Sequence, residues 1–479
     1  MAEFVGRSAK LQQIDKWFTD VTARRQGMML AVRGRRQVGK SSMYTEFLRR
    51  SAAPHVFFSA AKHASVPSQL AQFARDAARS TSPIPDATTL FITAPASWND
   101  ALGRLRLAAT NGPIVVVLDE FPWAAEADPA LEGELQNAWD RHLQHLPALL
   151  ILIGSDIAMM ERLTAHDRPL FGRAREDQLE PFNPAEVAAA LDSNLQPFDV
   201  FDAYLTTGGY PRLVNEFARA NGLNAYIEAG LTDENSTLAV AAQRSLDAEF
   251  PADARARQVL SAIGGQEVGH PTFTSAISQL EDGSTKSGET ALIRALRLLT
   301  DIKRVVVTET PSGAAPNSRL RRYRITDSYL RCWFRFVEPQ LANIARGRGD
   351  LAVQAFTTGF AAWRGVAIEP IVRNAGFRLA PDLPQLAKAL DIAPWWNRAN
   401  TVEVDLVARG RDEVLALGTI KWRRSSPVSD REILQLGHAR TVIIGASNAP
   451  LLAISPTISS DSGADLTLSA SDLLSAFSA

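Results

Sequence analysis

Eight consecutive residues, Gly34-Arg35-Arg36-Gln37-Val38-Gly39-Lys40-Ser41, fit the spacing G-x-x-x-x-G-K-[ST]. The glycines let the backbone curl so that several N–H groups point inward, a cradle for phosphate oxygens. A helix leaving that curl adds the positive end of its dipole. Lys40 is placed to reach the β- and γ-phosphates of a nucleotide, and Ser41, followed by Ser42, to hold Mg²⁺. Further on, Asp119 and Glu120 end the apolar run Ile114–Leu118. An acid at the carboxyl end of a buried strand sits where open α/β sheets take ligands. Asp119 would orient Mg²⁺ or its water, and Glu120 would polarise a water attacking the γ-phosphate. These residues point to ATP as ligand and Mg²⁺ as cofactor, although nothing in them separates ATP from GTP.

Positioning such groups requires a sheet. Short β-rich runs recur at Met28–Arg33, His55–Ala60, Ile114–Glu120 and Leu149–Gly154, with helical stretches at Ser41–Arg50, Ser65–Arg79 and Ala130–Leu143. That alternation predicts a parallel sheet covered by helices over residues 1–195. Residues 196–250 read as all helical, a small lid. Residues 251–345 give three helices, near Ala254–Ile263, Phe273–Leu280 and Ser287–Leu299, then strands at Arg304–Glu309 and Arg322–Thr326. Residues 346–479 open on a helix, Phe356–Asn374, followed by strands at Thr401–Ala408, Glu413–Ile420 and Thr441–Ile444, with a helix at Asp430–Leu436.

Residues 1 to about 345 resemble the archaeal-type ATPases of the AAA+/STAND grouping of P-loop proteins. Phe4-Val5-Gly6-Arg7 looks like the opening motif of that family, which closes over the nucleotide base. The resemblance also implies that Ser155, after Gly154, senses the γ-phosphate or the attacking water. Leu170-Phe171-Gly172-Arg173 is similar to an arginine-bearing element, which suggests Arg173 as a finger acting in cis or across a subunit boundary. Gly208-Gly209-Tyr210-Pro211 looks like the lid motif whose proline contacts adenine. The implied fold class is α/β: a P-loop parallel-sheet ATPase core with helical lid, a winged helix-turn-helix at 251–345 and a C-terminal α/β nuclease-like domain at 346–479.

From Arg294 to Arg348 there are 12 basic and 4 acidic residues. Arg294 and Arg297 lie in the third helix, and Arg319, Arg321, Arg322 and Arg324 surround the following loop. Two readings stand. A winged helix would use Arg294, Arg297, Arg321 and Arg322 on double-stranded DNA. Equally, the module would pack between domains with its arginines solvated, since 43 of the 51 basic residues are Arg and each one signals less. The aromatic run Arg324–Val337 reads mainly as core, with base stacking as the alternative.

In the tail, Glu403 and Asp405 share one face of a strand, and Thr419 and Lys421 share a face of the next, with Glu369 on an upstream helix. This is similar to the PD-(D/E)xK nuclease-like domain of the same family, in which an acid on the first strand and an acid-x-Lys on the second bind Mg²⁺. Here Thr419 holds the second acid's position, and a neutral hydroxyl cannot supply a carboxylate's charge to a metal. The nuclease site Glu369, Glu403, Asp405 and Lys421 therefore reads as degenerate.

The chain is 46% hydrophobic and 22% charged, with net charge −1 and the single cysteine Cys332. That composition excludes a disordered polymer, a polycation and a disulfide framework. No apolar run approaches the ~20 residues of a membrane span, and no secretory signal is evident. The expectation is a soluble, cytoplasmic protein with no membrane partner. The first reading is an ATP-driven conformational switch, associated with DNA, a protein partner or further copies of itself. The alternatives are a DNA-binding regulator or defence-type effector with little ATP turnover, and an ATP-coupled nuclease.

Overall fold

The computed structural model describes residues 4–191, 195–250, 254–280, 285–315, 318–458 and 463–478. Two compact units divide the chain after Pro181.

The first unit is a five-stranded, wholly parallel sheet. Its strands are β1 (Met28–Arg33), β2 (His55–Ser59), β3 (Ile114–Asp119), β4 (Ala148–Gly154) and β5 (Ala174–Gln178), in the order β2-β3-β4-β1-β5. Every residue of β3 and β4 is buried, as their unbroken apolar runs require of central strands covered on both faces. Helices Val66–Ala78, Trp98–Asn111 and Leu131–Arg141 build one covering layer. Phe58, Phe73 and Trp98 meet edge to face at its centre, with ring centroids 5.6–5.8 Å apart. The order matters for the site. β4 lies between β1 and β3, so the loops leaving β1, β4 and β3 stand side by side at one end of the sheet.

The second unit opens with five helices, Pro184–Ala190, Pro197–Thr207, Pro211–Arg219, Leu223–Thr232 and Thr237–Glu249. Three more, Ala254–Gly265, Phe273–Ile277 and Lys286–Arg297, precede an antiparallel pair, β6 (Val306–Glu309) and β7 (Arg322–Ile325). Of the loop joining the pair, Pro316 and Asn317 lie outside the described residues. The aromatic run is core. Trp333, Phe334 and Phe336 are buried, and Phe336 packs on Phe356, Phe360 and Trp363.

A second five-stranded sheet follows, of β8 (Asp391–Trp396), β9 (Glu403–Arg409), β10 (Val414–Ile420), β11 (Leu451–Ile454) and β12 (Leu466–Leu468), ordered β12-β11-β10-β9-β8. β8, β9 and β10 run antiparallel, whereas β10, β11 and β12 run parallel. Two expectations are corrected here. The predicted helix Phe356–Asn374 is two helices, Gly349–Ala367 and Glu369–Leu379, and Pro370 stands in the first turn of the second. Thr441–Ile444 is not a strand. Helix Asp430–Ala439 runs into tight turns there, with the Ile443 N–H bonded to the Ala439 carbonyl at 3.0 Å, and Ile444 is 93% exposed.

Candidate nucleotide site

The loop between β1 and helix Lys40–Ser51 has the curl that its glycines foretell. Gly39 has φ 88° and Gln37 φ 66°, both left-handed. At Gly34 a Cβ would lie 2.3 Å from the Leu179 carbonyl oxygen, so only glycine allows β1 to leave the sheet this close to the chain after β5.

Lys40 is buried, and its ammonium donates to the carbonyls of Gly34 at 2.6 Å and Arg35 at 2.9 Å. Burial pulls its pKa down to about 8, against the carboxylates of Glu120 and Asp119, which favour the charge. The Ser41 hydroxyl donates to Asp119 at 2.7 Å. Asp119 is raised above the ordinary carboxylate range, chiefly by burial, with the Glu120 charge adding to it. Ser155, at the end of β4, donates to both carboxylate oxygens of Glu120 at 2.7 and 2.9 Å. Glu120 itself is left-handed, at φ 51°, capping helix Phe121–Ala127. The structure thus brings together Lys40, Ser41, Asp119, Glu120 and Ser155, with Ser41, Ser42, Arg36 and Gln37 exposed.

These residues fit a triphosphate with Mg²⁺. The desolvated Lys40 ammonium is hydrogen-bonded to neutral carbonyl oxygens, with the Asp119 and Glu120 carboxylates acting on it through space, an arrangement that favours a further anion. The hydroxyl and carboxylate of the expected metal ligands already touch. Lys40 and Ser41 would hold the phosphates and metal, with Asp119 behind them.

The remaining expected residues are placed unevenly. Arg7 is buried and left-handed, and its guanidinium donates to the Val38 carbonyl in the phosphate loop at 3.1 Å and to the Glu180 carbonyl. It buttresses the loop, with half-buried Phe4 and Val5 just before it. Arg173 is held by both oxygens of Asp140 at 2.8 Å and by the carbonyls of Pro169 and Phe171. Sequence reasoning had no signal for Asp140, which is one of three acids on helix Leu131–Arg141. Pro211 stands at the first turn of its helix. The glycines before it have a local reason, because a Cβ on Gly209 would lie 2.0 Å from the Phe182 carbonyl oxygen.

In the second unit the expected DNA-facing arginines separate. Arg294, Arg297 and Arg321 are exposed. Arg322 is corrected. It is buried, its guanidinium bonds Glu403 at 2.5 Å and Asn400 at 3.3 Å, and it lies 4.0 Å over the Trp396 ring. Its charge is neutralised and unavailable to a groove.

The tail cluster does assemble. Asp405 accepts from the Ile420 N–H at 2.7 Å, from the Thr419 hydroxyl at 3.1 Å and from Lys421 at 3.5 Å. Burial, then the Asp405 charge, pushes Glu369 up to about 8, while Arg373 bonds it at 3.2 Å. Among the described residues no three His, Cys, Asp or Glu side chains converge as metal ligands. Nor is any described helix long and apolar enough to cross a membrane.

Residues 4–217 match the model of a family described as an ATPase domain predominantly from Archaea. Residues 333–433 match one described as archaeal and bacterial proteins of unknown function. An uncharacterized protein of Methanocaldococcus jannaschii is 23% identical over 335 residues, covering 67% of this chain and 70% of its own. The Walker-type ATPase of Pyrococcus abyssi is similar at TM-score 0.50 and 17% identity, over 69% of this chain and 96% of that one. The ORC2 protein of Aeropyrum pernix, in its ADPNP–ADP complexes, has TM-score 0.45 and 14% identity over 74% of this chain and 96% of its own. The phosphate-loop geometry agrees with the match over residues 4–217, and the first unit has the parallel-sheet α/β fold consistent with a P-loop ATPase core.

Proposed function

We propose that this chain binds and hydrolyses Mg-ATP and uses the cycle as a conformational switch. The observation that carries the reading is the buried Lys40 ammonium, held by loop carbonyls beside the Ser41–Asp119 and Ser155–Glu120 pairs. Lys40 exchanges those carbonyls for terminal phosphate oxygens, and the N–H groups of residues 35–41 cradle the rest. Ser41 and Asp119 hold the metal. Mg²⁺, when bound there, would supply positive charge to the phosphates. Glu120 takes the proton of the attacking water, and Ser155 fixes the direction in which its carboxylate points. Phe4 and Val5 flank the base, and Arg7 keeps the loop in place. Arg173 serves as the finger by trading Asp140 for phosphate, which a second subunit would prompt.

Residues 251–345 are read as a winged helix, supported by three helices followed by an antiparallel pair, and as the DNA-associated part. Residues 346–479 are read as a degenerate nuclease-like domain, supported by the Asp405–Thr419–Lys421 contacts. The setting is taken to be cytoplasmic. The test is turnover. Glu120→Gln should keep ATP bound while hydrolysis falls by about 100-fold or more. An unchanged rate removes Glu120 as base. A fully active monomer removes the trans role of Arg173.

A further inference from the structure

The second unit holds a groove of about 510 Å³ lined by four arginines. One wall is the strand β7 and the residues just before it, with Arg319, Arg321 and Arg322. The other is the β8–β9 turn, with Trp396, Arg398 and Asn400. No carboxylate is among its described lining residues. Arg319, Arg321 and Arg398 are exposed, and none of the three makes an ion pair among the described residues. With Arg322 already neutralised by Glu403, the groove keeps three guanidinium charges.

The two walls are tied. Arg322, on β7, bonds Asn400 and Glu403 and stacks on Trp396, all on or beside the turn. The turn is pre-formed as well. The Asn397 side chain accepts from the Thr401 N–H at 2.9 Å and donates to the Thr401 hydroxyl at 2.8 Å. Arg398 rides on that fixed turn. Guanidinium groups on two rigid walls, interspersed with neutral hydroxyl and amide groups, match how proteins grip phosphates without reading bases.

We infer that this groove binds a nucleic-acid sugar–phosphate backbone through Arg319, Arg321 and Arg398, with Arg322 as the positioning residue that holds the two walls together. The inference deepens the DNA association proposed above and rests on it. It adds the tail's turn to the contact surface, so the hairpin alone is an incomplete site.

The full chain is titrated into a labelled DNA duplex, its matching single strand and a labelled polyglutamate, by fluorescence anisotropy between about 50 and about 200 mM salt. Nucleic acid binds, in whichever strand form fits better, at least about tenfold more tightly than polyglutamate. Arg398→Ala and Arg321→Ala each weaken binding and lower the salt slope by about 1. Arg106→Ala, an exposed change on helix Trp98–Asn111, leaves both at the wild-type value. Arg322→Leu weakens binding by more than one contact's worth, although its own charge is neutralised. If the wild type binds no nucleic acid, the association itself falls. If it binds and both alanine variants match it, the groove falls while the association stands. Equal binding of polyglutamate, or an equal loss in Arg106→Ala, also overturns the groove.

Discussion

Two places in this chain gather a lysine, a hydroxyl and carboxylates, and only one is chemically open. At the phosphate loop, Lys40 leans on backbone carbonyls, and the two carboxylates take their side-chain hydrogen bonds from hydroxyls. In the tail, Lys421, Thr419 and a backbone N–H all converge on one oxygen of Asp405, while Arg322 holds Glu403. Residue types are alike in kind; the prior commitment of the charges differs. A site able to receive a charged ligand keeps a buried charge whose partners are weak and replaceable. A site whose charges are mutually satisfied is architecture.

The sharpest way to break that contrast is Lys40→Ala. Losing charge-assisted bonds to phosphate should weaken nucleotide affinity by about 100-fold or more, read by calorimetry. Retained affinity would mean the loop is no more open than the tail. The next is Thr419→Asp, which returns a carboxylate beside Asp405 and Glu369. Without metal the added charge should destabilise the fold by about 1–3 kcal/mol, and Mn²⁺ should restore it. Wild type should melt at the same temperature with or without Mn²⁺. A variant indifferent to Mn²⁺ would show that charge satisfaction is not what closed this site. The mildest test is pH. Lys40 is depressed to about 8, so its ammonium is fully charged only below that value. Phosphate binds the charged form. Affinity should therefore be flat up to about pH 8 and then fall by up to about tenfold per unit. A flat profile through that range would separate binding from the Lys40 charge.

The nucleotide site was legible because its parts are local. Residues 34–41 carry their own backbone chemistry, and β1, β3 and β4 are apolar runs long enough to declare buried strands. β5 was not legible. Its sequence Ala174-Arg-Glu-Asp-Gln178 is that of an edge strand, with only Asp177 buried. β8 was hidden by Pro394, which sits at the irregularity between Ala393 and Trp395 where the pairing with β9 shifts. The apolar stretch ending at Ile444 misled in the opposite sense, because it lies in turns that bury Ile443 and leave Val442 and Ile444 exposed. Arg322 shows the wider limit. Its neutralising partner Glu403, and Asn400 beside it, lie 81 and 78 residues downstream, and no spacing in the sequence announces them.

Glu120 has one more consequence. Its left-handed backbone, φ 51°, is a conformation glycine adopts without steric penalty and other residues adopt at a cost of roughly 1 kcal/mol. On the reading proposed here, the proton acceptor therefore occupies a position where chain folding alone would favour a different residue. Selection for thermal robustness alone would drift this position toward glycine or asparagine and silence the enzyme, whereas selection for turnover holds a strained carboxylate in place.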